Sequence, residues 1–169
     1  LLGNDSQSRP EGDTATNPLA WMAFANYLFT NEPQRSIECL DAYLWCLDNG
    51  EEHIDGFRSH YLEFLLQRIA YLRSYTTKAV EALVTRRDRL RAAIIAGVST
   101  EADTQEYLRF CFWLRDETNA LDAVEEMRDL GEEQQVASRL ILRTELNRAV
   151  GRQLYSDILR LDPNPLKII

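Results

Sequence analysis

Apolar residues recur at helical spacing through most of the chain, and a few Pro, Gly, Asn and Thr positions divide the pattern into segments. In PLAWMAFANYLFT, Trp21, Phe24, Ala25 and Leu28 share one face, with Asn17 as N-cap and Pro18 at the first helical position. Glu32-Pro33 breaks this helix and opens a second over 33–48, whose Ile37, Leu40, Tyr43, Leu44 and Leu47 recur at helical spacing. Asn49-Gly50 is expected to end the second helix, with Gly50 as a left-handed cap.

Residues 57–96 contain neither Gly nor Pro. One straight helix of that length would extend roughly 60 Å, since each residue adds about 1.5 Å. Its apolar track runs through Leu62, Leu65, Ile69, Leu72, Thr76, Ala79, Leu83, Arg86, Leu90 and Ala93. Thr76 and Arg86 interrupt the track, which argues against a two-stranded coiled coil. The unbroken phase favours one continuous helix. The rarity of such long helices favours a hairpin, broken at Ser74-Tyr75-Thr76-Thr77, where hydroxyl side chains can cap a new start.

Gly97 stops the run, and Thr100 with Asp103 forms a capping-box pattern. A helix over 101–116 carries Tyr107, Phe110, Cys111 and Leu114 inward. Thr118-Asn119 recaps a helix to Gly131, grouping Leu121, Val124, Met127 and Leu130. A further helix over 132–149 uses Val136, Leu140, Leu142 and Leu146, and the last covers 152–161 before Asp162-Pro163-Asn164-Pro165. Residues 1–16 are polar and lack periodicity, which predicts a flexible tail before a single all-helical domain over 17–169.

Composition narrows the function classes. Hydrophobic content of 45% and charged content of 27% are ordinary for a globular chain. A net charge of −8 disfavours nucleic acid as the main partner, because phosphates need a basic face. No apolar run approaches the ~20 residues of a membrane-spanning helix, so no membrane insertion is expected. Without a signal-peptide pattern, a cytoplasmic location is favoured. The charge is segregated: residues 61–98 carry seven bases and three acids, and residues 99–133 carry eleven acids and three bases. Cys39, Cys46 and Cys111 form no CxxC and sit in apolar contexts, as small buried side chains do.

The helices fall into short-looped pairs, and two pairs resemble tetratricopeptide repeats. Tyr107, Phe110, Cys111, Leu114, Ala123, Met127 and Leu130 follow that family's alternation of large and small positions. Gly151, Tyr155, Ile158 and Pro163 resemble a repeat's second helix, and Trp21, Phe24, Ala25 and Leu28 fit the first half of another. The likeness covers about half the chain. No 34-residue period runs throughout, and Arg139 stands at a small packing position. The resemblance implies an all-α fold of antiparallel helical hairpins stacked as a short α-solenoid, with one long central helix or helical hairpin. It also implies a scaffold that takes peptides or proteins in a groove, and it carries over no ligand-binding residue.

Candidate sites are few. Arg86, Arg87, Arg89 and Arg91, with Arg68, Arg73 and Lys78 before them, form a basic cluster. Arg73, Arg86, Arg87 and Arg91 are the candidates for an acidic partner. The alternative is internal pairing with the acidic block, particularly Glu125, Glu126, Asp129, Glu132 and Glu133. His53 and His60 lie seven apart, a spacing that suits surface histidines better than metal ligands. Trp21, Tyr27, Tyr43, Trp45, Tyr61, Tyr71, Tyr75 and Trp113 read mainly as core, although Trp45 and Tyr27 fall off the buried stripes and could form a ligand surface. No Walker, GxGxxG or GxSxG motif is present, so no catalytic, cofactor or metal residue is assigned. The expected role is a non-catalytic adaptor or scaffold that binds a protein or peptide. The alternatives are a helical bundle holding a small ligand or metal, including an enzyme, and a small acidic secretion or assembly chaperone.

Overall fold

The structure is a computed structural model that describes residues 8–161. The expected stop at 162–165 lies outside that range, as do the Pro163 match and residues 1–7 of the tail. Among the described residues the chain is all-helical, with no strand. Its helices are α1 (Pro18–Asn31), α2 (Ser36–His53), α3 (Phe57–Leu72), α4 (Thr77–Ile95), α5 (Glu101–Leu114), α6 (Glu117–Glu126), α7 (Glu132–Thr144), α8 (Leu146–Gly151) and α9 (Tyr155–Leu161). They group into two compact units that divide within α4, between Leu83 and Val84.

In the first unit, α1 starts as its sequence dictates. The Asn17 side chain accepts from the Leu19 N–H at 2.9 Å, and Pro18 occupies the first turn. All four stripe residues, Trp21, Phe24, Ala25 and Leu28, are buried. α1 and α2 pack antiparallel, because Cys39 Sγ donates to the Ala25 carbonyl near the turn and Cys46 Sγ to the Pro18 carbonyl at the far end. Residues 33–35 form a 3-10 turn, so α2 begins at Ser36. Within α2, Leu40, Tyr43 and Leu47 are buried as expected, whereas Ile37 is exposed.

Gly50 corrects the expected end of α2. The helix continues through it to His53, and Gly50 does not have the positive φ of a left-handed cap. A Cβ at Gly50 would collide with the Phe57 ring, so the missing side chain makes room for close packing of α2 on α3. The left-handed residue is Gly56, at φ 72°, which N-caps α3 without a side chain. Glu51 supplies the missing cap: its carboxylate accepts from the Gly56 N–H at 2.9 Å and the Arg58 N–H at 2.7 Å. These two backbone bonds, the one from Arg58 foremost, hold its pKa below the ordinary carboxylate value.

The 57–96 run is two helices. α3 stops at Leu72 and α4 begins at Thr77, which overturns the continuous helix favoured by the apolar phase. The interruption adjoins the Ser and Thr cluster, where Thr76 Oγ1 accepts from the Lys78 N–H at 3.3 Å. Residues 8–16 are more structured than a polar tail suggests: Gly12–Thr14 form a 3-10 turn, Pro10 is buried, and Trp21 Nε1 donates to the Ala15 carbonyl at 2.7 Å.

The second unit closes around Ile94, Tyr107, Cys111, Leu121, Val124, Met127, Ile141 and Ile158. Gly97, at φ 72°, ends α4, with the Val98 N–H bonded to the Ala93 carbonyl. The predicted capping box is formed: Thr100 Oγ1 accepts from the Asp103 N–H, and the Asp103 carboxylate accepts from the Thr100 N–H. α5 and α6 make a tight hairpin in which Arg115 takes the left-handed conformation at φ 57°, and the buried Tyr107 hydroxyl donates to Asn119. Of the face expected over 132–149, Leu142 is buried and Leu140 and Leu146 pack partly buried against the core, and only Val136 departs from it. Val136 is about half exposed, whereas Ala137, Ser138 and Ile141 are buried beside Leu142. Small Ala137 and Ser138 allow close approach, and a count of large apolar residues misses them. The expected 132–149 helix ends at Thr144, and the last one begins at Tyr155 instead of 152.

Candidate partner-binding cleft

α2 presents Glu38, Asp41 and Trp45 at i, i+3 and i+7, which places them along one side of the helix. Trp45 meets Trp21 of α1, with ring centroids 5.1 Å apart and planes 24° apart. Trp45 also stacks on His53, at 5.8 Å and 6°. The Arg9 guanidinium lies over the Trp21 ring, 5.4 Å from the centroid. Arg9, Trp21, Glu38, Asp41 and Trp45 together line a cleft of about 280 Å³.

The cleft combines two indole side chains with two carboxylates. An indole face attracts a cation through its quadrupole, and a carboxylate accepts its N–H donors. Glu38 is also held by Arg35 at 2.8 Å, and Arg35 reaches Glu32 at 2.7 Å. Those contacts fix the α1–α2 turn and the Glu38 side chain with it. The sequence pointed to Trp45 but missed the rest of the cleft. The i, i+3, i+7 spacing of Glu38, Asp41 and Trp45 was a usable signal. The seating of Arg9, in a segment read as tail, had none.

The predicted basic candidates are spread over different environments. Arg73 is exposed just past the end of α3, and Arg86 is half-buried. Arg87 is only 7% exposed and is ion-paired to Asp88 at 2.7 Å and to Asp116. Arg91 pairs with Glu126 at 2.6 Å. Arg87 and Arg91 therefore adopt the internal pairing that the sequence offered as the alternative. Arg68 sits 4.8 Å from the Phe29 ring and 5.1 Å from the Phe64 ring, a packed cation–π arrangement within the first unit. Other arginines pair α8 and its following turn with the acidic α6: Arg148 reaches Glu117, and Arg152 reaches Asp122 and Glu125.

The remaining candidates resolve simply. The three cysteines are buried and free, and burial pushes each thiol up to about 12. His53 and His60 are exposed, and among the described residues no group of three or more His, Cys, Asp or Glu side chains is placed to hold a metal ion. Tyr71 and Tyr75, expected in the core, are exposed. Among the described residues no helix is long and apolar enough to cross a membrane. Compared with protein-family models, curated proteins and solved structures, the chain matches none.

Proposed function

We propose that this chain is a non-catalytic protein- or peptide-binding module whose partner docks in the cleft between α1 and α2. The observation that carries this reading is the Trp21–Trp45 stack, buried at Trp21 and half-buried at Trp45, which lines a cleft together with Glu38 and Asp41. Tryptophans in a partly desolvated pocket are the side chains that dominate binding energy at interfaces. The antiparallel α1–α2 pair and the short-looped α5–α6 pair support reading the chain as a tetratricopeptide-like scaffold, a design that presents binding surfaces on paired helices.

The test is selection of peptides from a random display library on the whole chain, followed by titration against wild type and Trp45→Leu. Truncation of an interface anchor costs on the order of tenfold or more in affinity. The proposal expects that loss with an unchanged far-UV circular dichroism spectrum. Selected peptides that bind Trp45→Leu as tightly as wild type would count against it.

A further inference from the structure

We infer that the cleft recognises an arginine side chain of the partner peptide, and that Arg9 is an internal occupant which this arginine displaces. The inference rests on the peptide-binding reading above and names its ligand. A guanidinium is planar and weakly hydrated, so it stacks on an indole while its edge donates to carboxylates. Arg9 already shows half of this arrangement, with its guanidinium 5.4 Å from the Trp21 centroid in a cleft that also holds Glu38 and Asp41. Trp45 stacks on Trp21 and His53 on Trp45, so the ring that carries the guanidinium belongs to a stacked set.

Arg9 is suited to giving way. Its side chain is exposed, whereas the segment behind it is anchored by the buried Pro10 and by the bond from Trp21 Nε1 to the Ala15 carbonyl. The side chain can swing out without the backbone leaving. An exposed cation–π contact holds its cation weakly, so self-occupancy lowers the apparent affinity for an external arginine by about two- to fivefold.

The experiment uses a capped five-residue peptide with one arginine among glycines, and its citrulline counterpart, which keeps the shape and removes the charge. Both are titrated into the whole chain with tryptophan fluorescence as the readout. The expected result has three parts. The arginine peptide binds at least tenfold more tightly than the citrulline peptide, Arg9→Ala binds it about two- to fivefold more tightly than wild type, and Asp41→Asn binds it more weakly. Equal binding of the two peptides would overturn the arginine assignment. Unchanged or weaker binding by Arg9→Ala would overturn the role of Arg9. No binding of the arginine peptide to either protein would also overturn the inference. In each of these cases the broader peptide-binding reading still stands or falls on the library selection, where arginine-free peptides that require Trp45 would support it alone.

Discussion

Gly50→Ala should destabilise the first unit, against the general rule that alanine improves a helix. In a helix interior alanine is favoured over glycine by about 1 kcal/mol. At Gly50, however, the new methyl would lie 2.9 Å from Phe57 Cγ and closer still to Cδ1 and Cε1. The ring has little room to retreat, because Phe57 is 2% exposed and its face is covered by Tyr61 at 4.7 Å between centroids. Overpacking of that kind costs about 1–3 kcal/mol, so the net change is a loss of about 1 kcal/mol. Gly151→Ala is the control. It lies at the end of α8 with ordinary backbone and nothing within 4 Å of an added Cβ, so it should gain about 0.4–1 kcal/mol. Urea unfolding followed by far-UV circular dichroism measures both, and Phe57→Leu in the Gly50→Ala background should recover part of the loss by shrinking the clashing ring. A Gly50→Ala midpoint that rises with that of Gly151→Ala would refute the close-packed α2–α3 contact.

Tyr107→Phe removes a hydroxyl that donates to Asn119 from a fully buried ring, and should cost about 1 kcal/mol in the same unfolding assay. Cys39, Cys46 and Cys111 should resist Ellman's reagent at about pH 8 in the native protein, since each thiol titrates near 12, and all three should react in denaturant. Because the folded pKa of Glu51 is depressed, its contribution is present above its unfolded value and is lost as the pH falls through the folded one. Wild type should therefore be more stable than Glu51→Gln at about pH 7, with the difference vanishing in acid below the ordinary value of 4.5.

What could be read from the sequence depended on how far apart the deciding residues lie. The α1 stripe, the Asn17-Pro18 start, the Thr100–Asp103 box and the Gly97 stop are settled within one or two turns, and the sequence places each correctly. Gly50 was misread because its role depends on the Phe57 ring of the next helix, and a local rule knows only that glycine ends helices. On α7 the pattern finds Leu142 but takes Val136 in place of Ala137 and Ser138, which bury well with little hydrophobicity of their own. Arg87 reads as open to outside partners in the sequence because its partner Asp116 lies twenty-nine residues on. The cleft was the least legible feature, since it needs α1, α2 and Arg9 brought together.

The most direct test of the cleft uses the three tryptophans as internal reporters. Trp21 and Trp45 stack in the cleft, whereas Trp113 lies in α5 of the second unit. Two-dimensional 15N NMR resolves their indole N–H resonances during titration with a library-selected peptide. The Trp21 and Trp45 signals should move together along the binding curve while Trp113 stays in place. Movement of Trp113 with the other two unchanged would contradict docking in the cleft.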